Sequence, residues 1–132
     1  MRTRNLQRSI DLAKDNYGIR NQFKLAAVMY YKNKVVSVGY NSYKTDPLQK
    51  IYSSKNGSVC LHAEIDCIKR ALRLIDIDTL KKCTMVVGRV KKDKGELVSA
   101  LARPCKGCYR AIVAFELGQC WFSTDDGFDR LL

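Results

Sequence analysis

Two short segments constrain this chain more than any other feature: His62-Ala63-Glu64 and Pro104-Cys105-Lys106-Gly107-Cys108. Histidine nitrogen and cysteine sulfur are ligands that zinc commonly takes in proteins. The spacing of Cys105 and Cys108 lets both thiolates reach one ion. Each segment also opens an apolar pattern of helical period. A fold in which His62 joins the two cysteines must therefore bring the starts of two helices together.

The number of ligands favours a catalytic zinc site over a structural one. Three protein ligands leave the fourth tetrahedral position open for water, and zinc lowers the pKa of bound water to about 7. Glu64 follows shortly after His62. It is not needed as a ligand, so it can lie beside that water and move its protons. The alternative is a structural site closed by a fourth protein ligand, for which Cys60 is the obvious candidate.

Length and composition predict a single globular domain over residues 1–132. The chain is 46% hydrophobic, which is enough to bury a core. No apolar run approaches the ~20 residues of a membrane span, and no apolar signal segment follows the basic residues 1–5. We therefore expect a cytoplasmic protein without a membrane partner, in which the six cysteines stay reduced.

The net charge of +11 favours an anionic partner. It arises from 24 lysines and arginines against 13 aspartates and glutamates, with the excess concentrated in residues 1–34 and 81–94. Such a balance is typical of proteins that bind nucleotides or single-stranded nucleic acid. The alternative is a solvated basic face that only aids solubility, since no arginine-rich tract with interleaved aromatic residues is present.

Hydrophobic periodicity predicts alternating strands and helices. Helices are expected over 3–17, 62–75 and 105–117, and strands over 23–31, 35–41, 83–90 and 119–123. The first two strands form a hairpin, and the last two are joined by a helix, which indicates a parallel crossover. Residues 42–60 are predicted to be an irregular loop that borders the substrate or, alternatively, a disordered insertion.

The motifs resemble those of the cytidine and deoxycytidylate deaminase superfamily of zinc-dependent nucleobase deaminases, which also includes deaminases of tRNA adenosine and of polynucleotide cytosine. The resemblance covers most of residues 23–124 and is carried by Gly39-Tyr40-Asn41, by His62-Ala63-Glu64, and by the Pro104–Cys108 segment with Ala111. It implies an α/β fold, a three-layer α/β/α sandwich with a mixed five-stranded sheet, and zinc between two helix N-termini. The parallel last strand resembles the deoxycytidylate deaminase-like branch.

The resemblance also implies roles for individual residues. The implied zinc ligands are His62, Cys105 and Cys108. Glu64 would be the catalytic proton shuttle, which serves the attacking water, ring N3 and the leaving amine in turn. The implied substrate contacts are Asn41, Ala63 and Pro104. Family members are usually oligomers, so a homo-oligomer is expected.

The function that we expect is hydrolytic deamination of a cytosine-containing nucleotide such as dCMP or CMP, because the chain is compact and lacks an obvious aromatic platform. One alternative is a deaminase acting on cytosine or adenine in single-stranded DNA or RNA, which the charge favours. Another is a non-catalytic zinc module that binds nucleic acid, which four protein ligands on the metal would favour. Neither the additional metal ligands nor the regulatory site of many deoxycytidylate deaminases is recognisable in the sequence.

Overall fold

The computed structural model describes residues 1–19, 23–52 and 60–132. Within them, helices and strands follow one another along the chain. The helices are α1 (Thr3–Lys14), α2 (Pro47–Tyr52), α3 (Ala63–Ala71), α4 (Ile77–Leu80) and α5 (Lys106–Ala114). The strands are β1 (Lys24–Tyr31), β2 (Lys34–Tyr40), β3 (Thr84–Asp93), β4 (Glu96–Ala100), β5 (Gln119–Ser123) and β6 (Phe128–Arg130). None of the described helices combines the length and the apolar character that crossing a membrane requires.

The strands form one mixed sheet in the order β2-β1-β3-β5-β6, and β4 pairs with β3 off that path. Strand β1 is antiparallel to both β2 and β3, so the predicted hairpin is confirmed. Strands β3 and β5 are parallel, with Val86 opposite Trp121. The chain between them passes through α5, so the predicted crossover is confirmed as well. The expected five-stranded mixed sheet is the main path, and β4 adds a further strand. The prediction that 119–123 is the last strand is wrong, because β6 follows it and pairs antiparallel with β5.

Alternating residues of β1 face two different helical layers. Ala26 packs in one cluster with Ile10 of α1. Ala27 and Met29 pack in the main core with Ile68 of α3 and with residues of α5. Because successive side chains of a strand point to opposite faces, α1 lies on one side of the sheet, and α3 and α5 lie on the other. The predicted three-layer α/β/α sandwich is therefore confirmed.

The helices end earlier than their apolar patterns suggest. Helix α1 ends at Lys14 instead of Tyr17, and α3 ends at Ala71, before the predicted end at residue 75. Tyr17 continues the spacing of the buried face of α1, yet its side chain is largely exposed. Leu72 and Ile75 do pack against the main core, but they lie beyond the end of α3. Periodicity extended both helices because it cannot tell a helical residue from one that continues the apolar spacing in a turn.

The prediction that residues 42–60 are wholly irregular is wrong, because α2 lies within them. Asp46 precedes this helix, and its Oδ1 accepts hydrogen bonds from the backbone N–H groups of Leu48 and Gln49. Pro47 occupies the first helical position, where its missing N–H costs nothing. The part of the predicted loop over 53–59 lies outside the described residues.

Strand β4 was also missed in the approach to Pro104. The preceding turn contains Lys94 and Gly95, both with positive φ (51° and 83°). Two such residues in succession suit the tight turn of a hairpin, and β3 and β4 pair directly on either side of it. The strand predicted to end at residue 90 therefore continues through Lys91 and Lys92 to Asp93, and the basic residues that follow it form the tip of a β-hairpin.

Candidate active site and metal centre

The two motif segments form the starts of two helices on the same face of the sheet. His62 is the N-cap residue of α3, and Cys105 is the N-cap residue of α5; both have an extended backbone with ψ of 152° and 169°. Helix α3 approaches β2 so closely that a Cβ atom on Gly39 would overlap the backbone of Cys67 and Ala63. Glycine at this position therefore allows the start of α3 to lie directly against the sheet.

The three predicted ligands converge. The ligand atoms of His62, Cys105 and Cys108 all lie within 4.8 Å of one another. The imidazole Nδ1 is 3.2 Å from Sγ of Cys108 and 3.6 Å from Sγ of Cys105. One nitrogen and two sulfurs at this spacing form a donor set that zinc prefers, and the residues present therefore fit this metal.

Cys60 does not belong to this group, although it is among the described residues. Its side chain is exposed, and it lines the pocket beside the metal centre. The candidate for a fourth protein ligand is thus missing from the cluster over the part of the chain that the structure describes. The arrangement that remains has three ligands, as a catalytic site requires.

The ligands influence one another electrostatically. The hydrogen bond with Cys108, followed by that with His62, lowers the pKa of Cys105 to about 3. The hydrogen bond with Cys105, followed by burial, raises the pKa of Cys108. One thiolate therefore forms readily at neutral pH, and it accepts a hydrogen bond from the backbone N–H of Cys108 at 3.5 Å. Metal binding requires deprotonated ligands, so the second thiol must release its proton when zinc binds.

Glu64 lies next to the ligands without belonging to their cluster. It follows His62 in the first turn of α3 and is only 3% exposed. Burial raises the pKa of its carboxyl group. Its side chain lines the same pocket as His62 and Cys105. A buried carboxyl group at a pocket wall beside a metal centre is suited to exchange protons with a molecule that enters the pocket.

The pocket has a volume of about 290 Å³. Of the predicted substrate contacts, Asn41 and Ala63 line it, whereas Pro104 is buried and is not among the described residues of its lining. Sequence reasoning missed two aromatic side chains on its wall, Phe23 and Tyr43, which are 44% and 54% exposed. Phe23 belonged to a predicted strand, which gave no indication of a pocket. Tyr43 lies in the segment 42–60 that was predicted to border the substrate, but nothing in the sequence singled it out.

The side chain of Asn41 is engaged mainly with the protein. Its Oδ1 accepts hydrogen bonds from Nδ2 of Asn16 at 2.8 Å and from the backbone N–H of Leu25 at 2.9 Å. Its Nδ2 donates to the carbonyl oxygen of Phe23 at 2.8 Å. These bonds hold the start of β1 against the end of β2 at the pocket wall. One amide hydrogen remains for a ligand, so substrate contact by Asn41 stays a prediction.

A three-layer α/β/α sandwich with one histidine and two cysteines at paired helix starts defines the class of zinc-dependent deaminases. The family model described as the cytidine and deoxycytidylate deaminase zinc-binding region matches residues 2–124. The match spans nearly the whole chain, and the chain belongs to this family. No curated protein matches it.

Proposed function

We propose that the protein hydrolytically deaminates the cytosine base of a pyrimidine nucleotide such as dCMP or CMP and releases ammonia. The observation that carries the proposal is the position of Glu64. Its carboxyl group is buried, lines the pocket together with His62 and Cys105, and lies outside the set of metal ligands. A structural zinc site has no use for such a carboxyl group, whereas hydrolysis of a cytosine amine requires a group that moves protons.

His62, Cys105 and Cys108 would hold the zinc ion, whose chemistry is to make water nucleophilic at neutral pH. Glu64 accepts a proton from the water that attacks C4 of cytosine and delivers it to ring N3. Glu64 then takes the second proton, from the hydroxyl group that has been added to C4, and transfers it to the amino group on C4. A C4–O bond forms, the C4–N bond breaks, and ammonia and the uracil form are the products. Proton transfer by a positioned group of this kind contributes roughly 10²–10⁴-fold to the rate.

We assign recognition of the substrate to the pocket wall around α3. Ala63 lines the pocket at the start of α3, where its backbone N–H would contact the base. Asn41 offers its remaining amide hydrogen to the base or sugar. Contact with Pro104, which directly precedes Cys105, stays a prediction, because this residue is buried and is not among the described residues that line the pocket. We further propose that the protein acts in the cytoplasm. We also propose that it is a homo-oligomer, and light scattering on the purified protein would test this oligomeric state.

A second candidate substrate is single-stranded DNA or RNA. The exposed rings of Phe23 and Tyr43 on the pocket wall favour it, since bases stack on such side chains for about 1–3 kcal/mol each. The guanidinium group of Arg89 lies 4.4 Å from the centre of the Phe23 ring, and Arg103 places a cation on the pocket wall itself. In the sequence, the lack of an obvious aromatic platform favoured free nucleotides as substrates. That argument is weaker in the folded chain, because two aromatic rings lie on the pocket wall.

Ammonia release from CMP, dCMP, cytidine, AMP and cytosine-containing oligonucleotides tests both candidates. We expect the fastest turnover on CMP or dCMP, with oligonucleotides reacting slowly. Turnover confined to oligonucleotides would favour the second candidate. The affinity of the protein for oligonucleotides should then fall by roughly one log unit, for each phosphate contact, when the salt concentration rises tenfold. No ammonia from any of these compounds with zinc-loaded protein would contradict the proposal.

A further inference from the structure

Helix α2 is attached to both helices that carry the metal ligands. Leu48 and Tyr52 of α2 pack against a buried cluster that includes Ile65 of α3 and Cys108 of α5. The guanidinium group of Arg110 in α5 donates a hydrogen bond to the carbonyl oxygen of Tyr52 at 2.7 Å. This short helix therefore contacts the elements on both sides of the metal centre, although it supplies no ligand itself.

The contact between α2 and the metal centre is most direct at Gln49. Its side chain is 1% exposed, and its Oε1 accepts a hydrogen bond from the backbone N–H of His62 at 2.9 Å. His62 is the N-cap residue of α3, but its side chain makes no capping hydrogen bond. The imidazole is instead directed towards the two cysteines. Gln49 thus holds the peptide group from which this ligand extends.

Gln49 is itself held in place by Asp46. Oδ1 of Asp46 accepts from the backbone N–H of Gln49 at 3.1 Å, and Oδ2 of Asp46 forms an ion pair with Lys69 of α3. The contacts therefore run from the last turns of α3 through Asp46 and Gln49 back to His62 at its start. Such a closed path fixes the position of Gln49 relative to α3 and leaves His62 little freedom to move.

We propose that Gln49 is a positioning residue for the metal ligand His62. Its amide oxygen fixes the His62 peptide so that the imidazole points at Cys105 and Cys108 before zinc binds. Removing a hydrogen-bond partner of a metal ligand typically lowers metal affinity about 10–100-fold. The inference depends on the metal centre and not on the substrate, so a protein that binds zinc but deaminates none of the tested compounds would leave it intact.

Three variants of the full chain separate positioning from mere packing. Gln49→Met keeps the length of the side chain but removes the acceptor, Gln49→Glu restores an acceptor of the same length, and Lys50→Gln changes an exposed residue of the same helix. Zinc affinity is measured by competition with a chromogenic chelator well below the unfolding temperature. We expect Gln49→Met to bind zinc about tenfold or more weakly, and the other two variants to bind nearly as wild type.

The visible absorption of the Co²⁺-substituted protein supplies a second readout, because its bands report the geometry of the ligands. We expect altered bands in Gln49→Met and wild-type bands in Gln49→Glu. Wild-type zinc affinity and wild-type Co²⁺ bands in Gln49→Met would overturn the proposal, as would equal weakening in Gln49→Glu and Gln49→Met. If Gln49→Met does not fold, Gln49→Asn, whose amide is one methylene short, replaces it under the same criteria.

Discussion

The two helix starts that form the metal centre are built differently. The start of α3 is enclosed by the protein: Ala63 and Glu64 are buried, and Asp66 accepts a hydrogen bond from the backbone N–H of Tyr40 at 3.0 Å. At the start of α5, Cys105 and Lys106 are exposed, and the long hydrogen bond from Cys108 to Cys105 provides the cap. The half of the site that carries Glu64 is thus part of the core, whereas at the start of α5 Cys108 is buried and Cys105 is exposed. We therefore expect the start of α5 to depend more on the metal.

This difference indicates a division of labour within the site. Glu64, the residue that we propose to handle protons, needs a fixed position and exclusion from bulk water, and its burial at the start of α3 provides both. The thiolates of Cys105 and Cys108 would need only to reach a zinc ion, and binding would then stabilise the start of α5, because metal binding is coupled to local folding. The predictions that follow test this contrast, beginning with the largest expected effect.

Replacing one thiolate of α5 should abolish most zinc binding. We expect Cys105→Ser to lose most of its zinc and with it nearly all activity, because the hydroxyl group is a far poorer ligand than a thiolate. Metal content per chain is measured by elemental analysis. Cys60→Ser is the matched control, since Cys60 lines the pocket but lies outside the ligand cluster. Full zinc occupancy in Cys105→Ser, or equal loss in Cys60→Ser, would contradict the ligand assignment.

Removing zinc from the wild-type protein should affect the two helix starts unequally. We expect faster amide exchange in the first turn of α5, where Cys108 and Tyr109 lie, and much smaller changes in the first turn of α3 around Ile65. Hydrogen–deuterium exchange before and after chelation measures this directly, because exchange reports local opening. Similar loss of protection in both turns would mean that the start of α3 also depends on the metal.

The close approach of α3 to the sheet should be sensitive to a single methyl group. We expect Gly39→Ala to lower the free energy of unfolding by about 1–3 kcal/mol, because its Cβ would overlap the backbone of Cys67 and Ala63. Urea denaturation measures the change. Gly127→Ala is the control, since a Cβ there meets no atom within 4 Å. Equal stability of the two variants would show that the contact is loose.

The ion pair between Asp46 and Lys69 should make a small, pH-dependent contribution to the free energy of unfolding. Burial acts to raise the pKa of Asp46, but the hydrogen bonds from Lys69, Gln49 and Leu48 outweigh it, so the pKa is lowered. A lowered pKa in the folded state means that the stabilisation is complete above the unfolded-state pKa of about 4 and is lost as the pH falls through the folded value.

Asp46→Asn removes this charge and keeps a good N-cap residue. We expect a loss of no more than about 1 kcal/mol at pH 7, since Lys69 is partly exposed, and a difference that shrinks as the pH falls to about 3. Urea midpoints at both pH values provide the measurement. Asp78→Asn, at a highly exposed ion pair with Lys81, is the control and should change little at either pH. A stability difference between Asp46→Asn and wild type that stays constant with pH would show that the ion pair does not stabilise α3.

The parts of this molecule that could be predicted are those for which the chemistry fixes the spacing. A zinc site requires His62, Cys105 and Cys108 to meet, and this requirement sets two helix starts and a crossover. Helix α2 was also within reach, since Asp46-Pro47 is a typical helix start. Because α2 is short and its neighbours in sequence are polar, the segment was predicted to be a loop.

Other features depend on contacts that no local pattern encodes. Asn16 and Asn41 lie far apart in sequence, and nothing in their spacing links the two amides that meet at the pocket wall. The exposure of Phe23 is another example, because a phenylalanine at the start of an apolar strand is ordinarily buried. Tertiary packing alone brings such residues to the site, so they become visible only in the folded chain.

Zinc content and turnover of Glu64→Gln, measured on the same preparation, test the central claim most directly. Glutamine keeps the size of the side chain but cannot accept and release a proton. We predict normal folding, about one zinc per chain and retained substrate binding, with turnover on the best substrate reduced at least about a hundredfold. If Glu64 only stabilises the first turn of α3, the variant would lose roughly 0.3–1 kcal/mol of stability and keep its rate. A zinc-replete Glu64→Gln protein that deaminates at nearly the wild-type rate would contradict the account.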